Sequence, residues 1–248
     1  TSAPAEAAGA PAGPAAAEVE EIPFRGIRKI IAEKMHSSLA TTAQLTMTRT
    51  FDATALLSYR SKVKAQGEAL GLPNITINDM VAFATVRTLK RFPELNAHCD
   101  GTKVMRFNRV NLGVAMDTPR GLMVPVVHGA DGLSLAELSL GIKPLSEAAR
   151  QGSVNPDLLA GGTFTVTNMG MLGVETFTPI LNAPEVAILG VGGLKLHPVE
   201  DGEGVRHVKA ITLSLTVDHR AVDGAPGARF LDGLARALEQ FDLTLAQG

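Results

Sequence analysis

The sequence has little cysteine, little net charge and no long hydrophobic run, and each shortage excludes a class of protein. Cys99 is the only cysteine in 248 residues, so no disulfide can form within the chain, which is typical of a reducing compartment. The formal net charge of -2 lacks the basic excess of nucleic-acid-binding proteins. No apolar run approaches the roughly 20 residues that cross a membrane, and no signal peptide opens the sequence. We therefore expect no nucleic acid, no membrane and no secretion, although residue 1 is Thr and a targeting signal could have preceded it.

Patterns that bind metals or phosphate groups are also missing. The histidines show neither an HExxH motif nor paired ligand spacing, so we predict no metal site. No GxGxxG follows a predicted strand, and no GxxxxGK[ST] loop occurs. The single thiol of Cys99 is better explained as a small buried hydrophobe than as a nucleophile.

Residues 1–19 differ in composition from the rest of the chain. They are rich in Ala and Pro and contain no large apolar side chain before Val19. Such a segment buries too little surface to repay its ordering entropy, and its prolines keep it extended. We expect a flexible linker that serves as a tether, with a frayed terminus or a remnant of cloning as the alternative. Residues 20–248 then form one domain.

The remaining sequence interleaves helical and strand periodicity without a regular βαβ repeat. Apolar spacing predicts helices at about 27–39, 55–70 and 78–91, with Asn78 as the cap of the third, and a further helix that begins near Pro226. Ser134 with Glu137 forms a capping box for another helix. Strands are predicted near residues 45–52, 110–116, 122–127, 163–168, 186–191 and 211–217. This order favours an α/β fold, a mixed sheet with helices mainly on one face.

Charged and polar residues concentrate where the longest strand meets the last helix. The segment DHRAVDG (218–224) holds two acids, a His and an Arg between them. His219 has the side chain whose ordinary pKa of about 6.5 suits proton transfer near neutral pH. Gly224 permits a backbone geometry that other residues resist. A solvated turn with a surface His is the alternative.

This segment resembles the DHRxxDG motif of the dihydrolipoyl acyltransferases, the core subunits of 2-oxo acid dehydrogenase complexes. Further stretches resemble landmarks of that family in the family's order, from about residue 22 onward. They are GIRKIIAEKM (26–35), NITINDMVAFATVRTLKRFPELNA (74–97), VNLGVAMDTPRGLMVPVV (110–127) and GGTFTVTNMGMLGVETFTPILNAPEVAILGVG (161–192). The resemblance implies the two-layer α/β sandwich of chloramphenicol acetyltransferase, whose His-containing motif is related.

The resemblance also implies a reaction, the direct transfer of an acyl group between the thiols of coenzyme A and dihydrolipoamide. His219 corresponds to the family's general base, which takes a proton from the attacking thiol. Thr167 corresponds to the hydroxyl that donates a hydrogen bond to the oxyanion, with an ordinary strand residue as the alternative. Asp223 corresponds to a position that is Asp or Asn in the family, where we expect an assisting group or a structural salt bridge.

Supporting residues follow from the same resemblance. Arg28 corresponds to a partner of the histidine-bearing loop, with a solvated helix charge as the alternative. Phe177 corresponds to an aromatic gate near the coenzyme A channel, with a core ring as the alternative. Arg220 and Asp218 are expected to organise the loop.

In the resembled family three subunits close around an axis, and the active site lies at their boundary. We expect His219 from one subunit and the first-helix region from its neighbour. Such trimers assemble further into 24-mer or 60-mer cores, and the tail FDLTLAQG is a candidate for those contacts because Phe241, Leu243 and Leu245 would otherwise be exposed. The lipoyl group is carried on an upstream domain absent from this sequence.

The resemblance also implies protein partners and a compartment. The partners are the 2-oxo acid decarboxylase/dehydrogenase and dihydrolipoamide dehydrogenase subunits. The bacterial cytoplasm is favoured over the mitochondrial matrix. A catalytically silent scaffold subunit and a stand-alone acetyltransferase for a small hydroxyl or amine are the alternative functions, and acetyl is favoured over succinyl or branched acyl groups.

Overall fold

The computed structural model describes residues 19–119 and 121–246. The predicted linker therefore lies outside the described residues except for Val19, and its boundary at residue 20 stays a prediction. Among the described residues no helix combines the length and the apolar character needed to cross a membrane.

A mixed sheet of seven strands forms the centre of the fold. The strands are β1 (Gln44–Asp52), β4 (Leu112–Val114), β5 (Val126–Val127), β6 (Phe164–Asn168), β7 (Ala187–Val191), β8 (Lys195–Asp201) and β9 (Gly204–Asp218). Their order in the sheet is β1-β9-β7-β6-β4-β5, with β8 paired to the first half of the long β9. The neighbours of β9 run antiparallel to it, whereas β4, β6 and β7 run parallel to one another. A separate hairpin pairs β2 (Ala97–Cys99) with β3 (Val104–Arg106).

Helices cover one face of this sheet. They are α2 (Thr54–Gln66), α3 (Ile77–Leu89), α4 (Leu135–Gln151), α5 (Gly224–Glu239) and α6 (Phe241–Ala246), whereas the first helix, α1 (Gly26–Thr41), lies apart from them. The core lies between the sheet and α3 and α5, where the rings of Phe164 and Phe230 are 5.9 Å apart. The predicted mixed sheet with helices mainly on one face is confirmed.

Hydroxyl groups line the other face of the sheet. Alternate strand residues point away from the helices, and their side chains pair across strands, as in Thr46 with Thr216 at 2.7 Å and Thr50 with Thr212 at 2.9 Å. The helix α1 lies toward this face and buries only Ser38. The two faces therefore differ in chemistry, apolar beneath the helices and polar opposite them.

Local capping chemistry explains where two helices begin. The predicted capping box of Ser134 and Glu137 is present at the start of α4, and the helix continues through Pro144. The prediction that Asn78 caps α3 is wrong, because Thr76 is the cap. Its hydroxyl accepts from the Asp79 amide at 3.1 Å, and the Asp79 carboxylate accepts from the Thr76 amide at 2.8 Å.

Two other expectations need correction. The helix predicted to reach residue 70 ends at Gln66 and is followed by a short 3₁₀ turn (Glu68–Leu70). In the C-terminal tail Phe241 is fully buried, because its ring packs against Tyr59 and Phe83 in the core. Leu245 also packs against the core, whereas Leu243 is 56% exposed as expected.

Candidate active site

His219 follows the last residue of β9, on a short connection to α5. Its backbone amide donates to the Ala43 carbonyl at 2.8 Å, which ties the connection to the start of β1. The imidazole itself is 46% exposed. A rigid strand end thus presents a base-capable side chain to solvent.

The neighbouring Asp218 and Arg220 hold this connection in place. The Asp218 carboxylate is buried and accepts from Arg220 Nη2 at 2.7 Å, from Arg220 Nε at 3.0 Å and from the Ala43 amide at 3.3 Å. Burial raises the pKa of this carboxyl, but the hydrogen bonds from Arg220 and Ala43 outweigh burial and hold the pKa below its ordinary value. The pair fixes the loop on both sides of His219.

Asp223 interacts with His219 only weakly. Asp223 Oδ1 lies 3.8 Å from His219 Nδ1, which is too long for a hydrogen bond, and its side chain is 84% exposed. Water screens such a pair, so Asp223 adds little binding energy within one chain. Asp223 also serves as the N-cap residue of α5, without a capping bond from its side chain.

Gly224 does not behave as expected. It is the first residue of α5 and is absent from the glycines that adopt positive φ. A Cβ at this position would meet only Leu45 Cδ2, at an ordinary 3.8 Å. Gly224 therefore makes no use of the backbone geometry that Gly permits, and its role as a supporting residue stays a prediction.

Thr167 occupies the polar face of the sheet, on the central strand β6. It pairs with Gly190 on β7, and Gly190 pairs in turn with Ser214 on β9. The ring of Phe177 lies over Gly190, because a Cβ there would stand 2.8 Å from Phe177 Cζ. Partners in a parallel pair share a face, so the Phe177 ring lies on the same face of the sheet as the Thr167 side chain, over the neighbouring strand.

Thr167 and His219 are far apart within one chain. Thr167 is level with Ser214 of β9, whereas His219 lies five residues further along the chain, just past the end of β9. At the usual rise and strand spacing, the two backbones are about 16 Å apart along the strands and about 10 Å apart across them. The side chains of one chain therefore cannot act on the same carbonyl group.

Arg28 likewise lies apart from the histidine loop of its own chain. Its guanidinium Nη2 is 3.5 Å from the position that a Cβ on Gly121 would take. Ile31, one turn further along α1, packs still closer to the same glycine, with its Cδ1 2.9 Å from that position. The structure thus places Arg28 beside the loop between Met116 and Met123.

The buried carboxyl of Glu185, which is bonded to the strand that carries Thr167, was not expected from the sequence. Glu185 is 3% exposed and accepts hydrogen bonds from Thr165 Oγ1 at 2.6 Å and from Asn182 Nδ2 at 2.8 Å. Burial raises its pKa to about 7, against the smaller lowering effects of Thr165, Asn182 and Lys34. The acid between Pro184 and the buried strand β7 was the only sequence signal, and on its own it resembles an ordinary loop residue.

An open cleft of about 600 Å³ lies elsewhere, between α2, α3 and α4, and is lined by residues such as Tyr59, Phe83 and Arg87. None of the candidate catalytic residues borders it. Within residues 19–119 and 121–246 no group of three or more His, Cys, Asp or Glu side chains is placed to hold a metal ion.

Comparison with known proteins adds a family. Residues 16–246 match the family described as 2-oxoacid dehydrogenases acyltransferase (catalytic domain). The dihydrolipoyllysine-residue acetyltransferase component of the acetoin cleaving system of Bacillus subtilis (strain 168) is 41% identical over 223 residues, 90% of this chain and 56% of that protein. This chain spans about half the length of the curated relatives it matches, or less.

Solved structures agree with this match. The dihydrolipoamide acetyltransferase of Azotobacter vinelandii, studied for the roles of a serine, a histidine and an asparagine in its catalytic mechanism, is similar with a TM-score of 0.87. The two are 34% identical over 95% of this chain and 99% of that one. The cubic core of the pyruvate dehydrogenase multienzyme complex is similar with the same TM-score of 0.87, and is also 34% identical over 95% of this chain and 99% of that one. Chloramphenicol acetyltransferase, with a TM-score of 0.50 and 14% identity over 80% of this chain and 86% of that one, shares the fold alone. The predicted sandwich is thereby confirmed.

Proposed function

The chain belongs to the acyltransferase catalytic domains of the 2-oxoacid dehydrogenases, and on this premise we propose that it transfers an acetyl group between coenzyme A and dihydrolipoamide. The observation that carries the proposal is His219, a solvent-accessible imidazole on a loop that Asp218 and Arg220 hold rigid. The relatives named as acetyltransferases support acetyl as the acyl group.

In the proposed reaction His219 takes the proton of the attacking thiol. A thiol has an ordinary pKa of about 8.5, so a positioned base raises its thiolate fraction near pH 7. The thiolate attacks the thioester carbonyl and forms a carbon–sulfur bond. The tetrahedral intermediate then expels the other thiolate, which takes the proton back from the His219 imidazolium. No covalent bond to the protein forms, so the protein contributes positioning, a base and an oxyanion donor.

We assign the oxyanion donor to Thr167 of a neighbouring copy. The separation of Thr167 from His219 within one chain supports a site shared between copies, since one hydroxyl and one imidazole must approach the same carbonyl. The serine, histidine and asparagine studied in the Azotobacter vinelandii enzyme match in type the hydroxyl of Thr167, the imidazole of His219 and the short polar side chain of Asp223. Asp223, whose Oδ1 lies 3.8 Å from His219 Nδ1, is assigned an assisting role, in which closer approach in the assembled site would orient Nε2 toward the thiol.

The remaining site residues complete the proposal. Arg28, from the first helix, contributes to the histidine loop of the adjacent copy. Phe177, on the same face of the sheet as Thr167, forms one wall of the channel for coenzyme A. Arg220 acts through Asp218, as a residue that positions the loop.

The assembly and partners are proposed from the same family. A trimer is the smallest complete unit, and trimers assemble into a larger core, of which the cubic core of the pyruvate dehydrogenase complex is the solved example. The exposed Leu243 on α6 is a candidate for contacts between trimers. Residues 1–19 act as the linker to a lipoyl-bearing segment, and the decarboxylase and dihydrolipoamide dehydrogenase subunits are the protein partners. A location in the bacterial cytoplasm stays a prediction.

The test is acetyl transfer from acetyl-CoA to free dihydrolipoamide by the purified chain and by His219→Ala. We expect turnover by the parent and a loss of about 10²–10⁴-fold in the variant, the usual contribution of a general base. The matched control is His207→Ala, which removes an exposed histidine on β9 and should keep parental activity. A parent that assembles yet turns over no acyl-CoA would favour the scaffold, and transfer only to small hydroxyls or amines would favour the stand-alone enzyme.

A further inference from the structure

The helix α1 is attached to the domain by polar contacts more than by apolar burial. Only Ser38 of this helix is buried, whereas Ile30 and Leu39 are 63% and 54% exposed. Ser38 Oγ donates to the Leu181 carbonyl at 2.7 Å, and Lys34 Nζ donates to Asn182 Oδ1 at 2.6 Å. The position of α1 therefore depends on the segment that ends at Glu185.

Hydrogen bonds continue without a break from this helix into the sheet. Asn182, which accepts from Lys34, donates through Nδ2 to Glu185 Oε1 at 2.8 Å. The other carboxyl oxygen of Glu185 accepts from Thr165 Oγ1 at 2.6 Å. Thr165 lies on β6, two residues before Thr167. The series Lys34–Asn182–Glu185–Thr165 thus joins α1 to the strand that carries the oxyanion donor.

Stability alone gives no reason for a carboxyl in this place. Glu185 is buried, and its two direct partners are neutral, with the ammonium of Lys34 one residue further away. Burying an ionisable group without a direct counter-ion is costly, which accounts for its raised pKa. Apolar side chains of similar volume at 185 and at its partner position 165 would together fill the space at lower cost, as concerted replacements of buried charged groups often do. What a carboxyl supplies is two acceptors with fixed directions.

We propose that Glu185 is a positioning residue that fixes α1 relative to β6 through Asn182 and Lys34. The inference rests on the proposed function, in which α1 supplies Arg28 and β6 supplies Thr167 to sites shared between copies. Displacements of about 1 Å in such a site cost up to about 10²-fold in rate. Glu185 then affects turnover without touching the substrate.

The test compares two substitutions on the exposed side of the same helix. Lys34→Met removes the hydrogen bond from Lys34 to Asn182. Lys29→Met removes a lysine that forms an ion pair with Glu33, 3.8 Å away on the same helix. Both lysines are exposed, so both variants fold. We expect Lys34→Met to lower kcat about tenfold with little change in KM, and Lys29→Met to retain parental kcat.

Two substitutions at Glu185 separate positioning from stability. Glu185→Leu fills the space but removes both acceptors, so kcat falls about tenfold, while the removal of a buried ionisable group and the unpaired Thr165 hydroxyl offset each other and change the melting temperature little. Glu185→Gln keeps a carbonyl acceptor for Asn182 and restores most of kcat. A kcat that follows the melting temperature across these variants would overturn the proposal.

Amide hydrogen exchange of α1 separates failure of this inference from failure of the proposed function. We expect faster exchange in α1 for Lys34→Met and Glu185→Leu, and parental exchange for Lys29→Met. If the parent chain proves inactive but this exchange pattern appears, the proposed function fails and the attachment of α1 stands. If kcat and exchange are both unchanged in Lys34→Met and Glu185→Leu, the role of Glu185 is refuted.

Discussion

Glu185 and Asp218 are two buried carboxyls that adjoin across β7 and β9 but meet opposite electrostatic surroundings. The Asp218 amide donates to the carbonyl of Val186, the residue after Glu185, at 2.9 Å. Asp218 has the guanidinium of Arg220 against it, and its pKa is lowered, whereas Glu185 has neutral partners, and its pKa is raised to about 7. The two acids therefore give stability opposite dependences on pH.

We predict that the contribution of Glu185 to the free energy of unfolding falls as the pH rises. The unfolded chain releases this proton near the ordinary value of 4.5, whereas the folded chain keeps it up to about 7. Between these values the folded state binds more protons, so stability decreases across the window by an amount on the order of 3 kcal/mol and then levels off. Urea denaturation at a series of pH values measures it.

Glu185→Gln is the matched variant for this measurement. Lys34, which faces Glu185 through Asn182, and His98, whose backbone bridges to Glu185, are present in both proteins. The difference between the two stability curves therefore isolates the effect of Glu185. A difference that stays flat from pH 4.5 to 7 would show that Glu185 titrates at its ordinary pKa.

For Arg220 we predict a loss of stability that depends on the charge of Asp218. Arg220→Gln leaves a buried carboxylate with backbone amides as donors, at a cost of about 2 kcal/mol at pH 7. Adding Asp218→Asn recovers part of that cost, because a neutral amide is cheaper to bury. Urea denaturation of both single variants and the double variant measures the coupling, and strictly additive effects would contradict it.

For Gly190 we predict a defect that disappears when Phe177 is truncated. In Gly190→Ala the new methyl group would stand 2.8 Å from Phe177 Cζ and must displace the ring, which lies on the same face of the sheet as Thr167. Overpacking of this kind costs about 1–3 kcal/mol of stability, and displacement of the ring in the proposed coenzyme A channel should lower kcat/KM for acetyl-CoA by about tenfold or more.

Two further variants test the origin of that defect. Gly190→Ala combined with Phe177→Ala should show no additional loss beyond Phe177→Ala alone. Gly204→Ala, on β9, is the control. The atom nearest to a Cβ added at this position is the Asp201 carbonyl oxygen, at an ordinary contact distance of 3.6 Å. An effect of Gly190→Ala that persists without the Phe177 ring would place its cause in the strand itself.

Sequence patterns that depend only on neighbouring residues predicted the helices and strands of this protein well. The alternation in β9 and the capping box at Ser134 and Glu137 depend on neighbours in sequence, which is why both were found. The sequence predicted Asn78 as the cap of α3, whereas the extended backbone at Thr76 makes Thr76 the cap. Such choices depend on φ and ψ angles that composition does not specify.

Features that depend on contacts between distant segments were not predictable. Glu185 resembles a loop acid until Thr165, 20 residues away, supplies its partner. Phe241 resembles an exposed tail residue until Tyr59 and Phe83 are placed around it. The resemblance selected His219 and Thr167 together, but only strand register reveals how far apart they lie in one chain.

That separation leads to a prediction about mixed assemblies. His219→Ala and Thr167→Val chains are each inactive alone, because each lacks one half of the proposed shared site. When equal amounts are co-expressed, a site that takes His219 from one copy and Thr167 from the next receives both intact residues in about a quarter of cases. The co-assembled mixture should therefore regain about a quarter of the parental acetyl transfer.

Parent chains co-expressed with the doubly substituted chain are the control: they should also give about a quarter if sites are shared, but about half if each site belongs to one chain. A mixture that stays inactive while the control gives half would mean that Thr167 and His219 act from one chain and would refute the shared site, whereas a Thr167→Val chain that is active alone would assign the oxyanion donor to another hydroxyl.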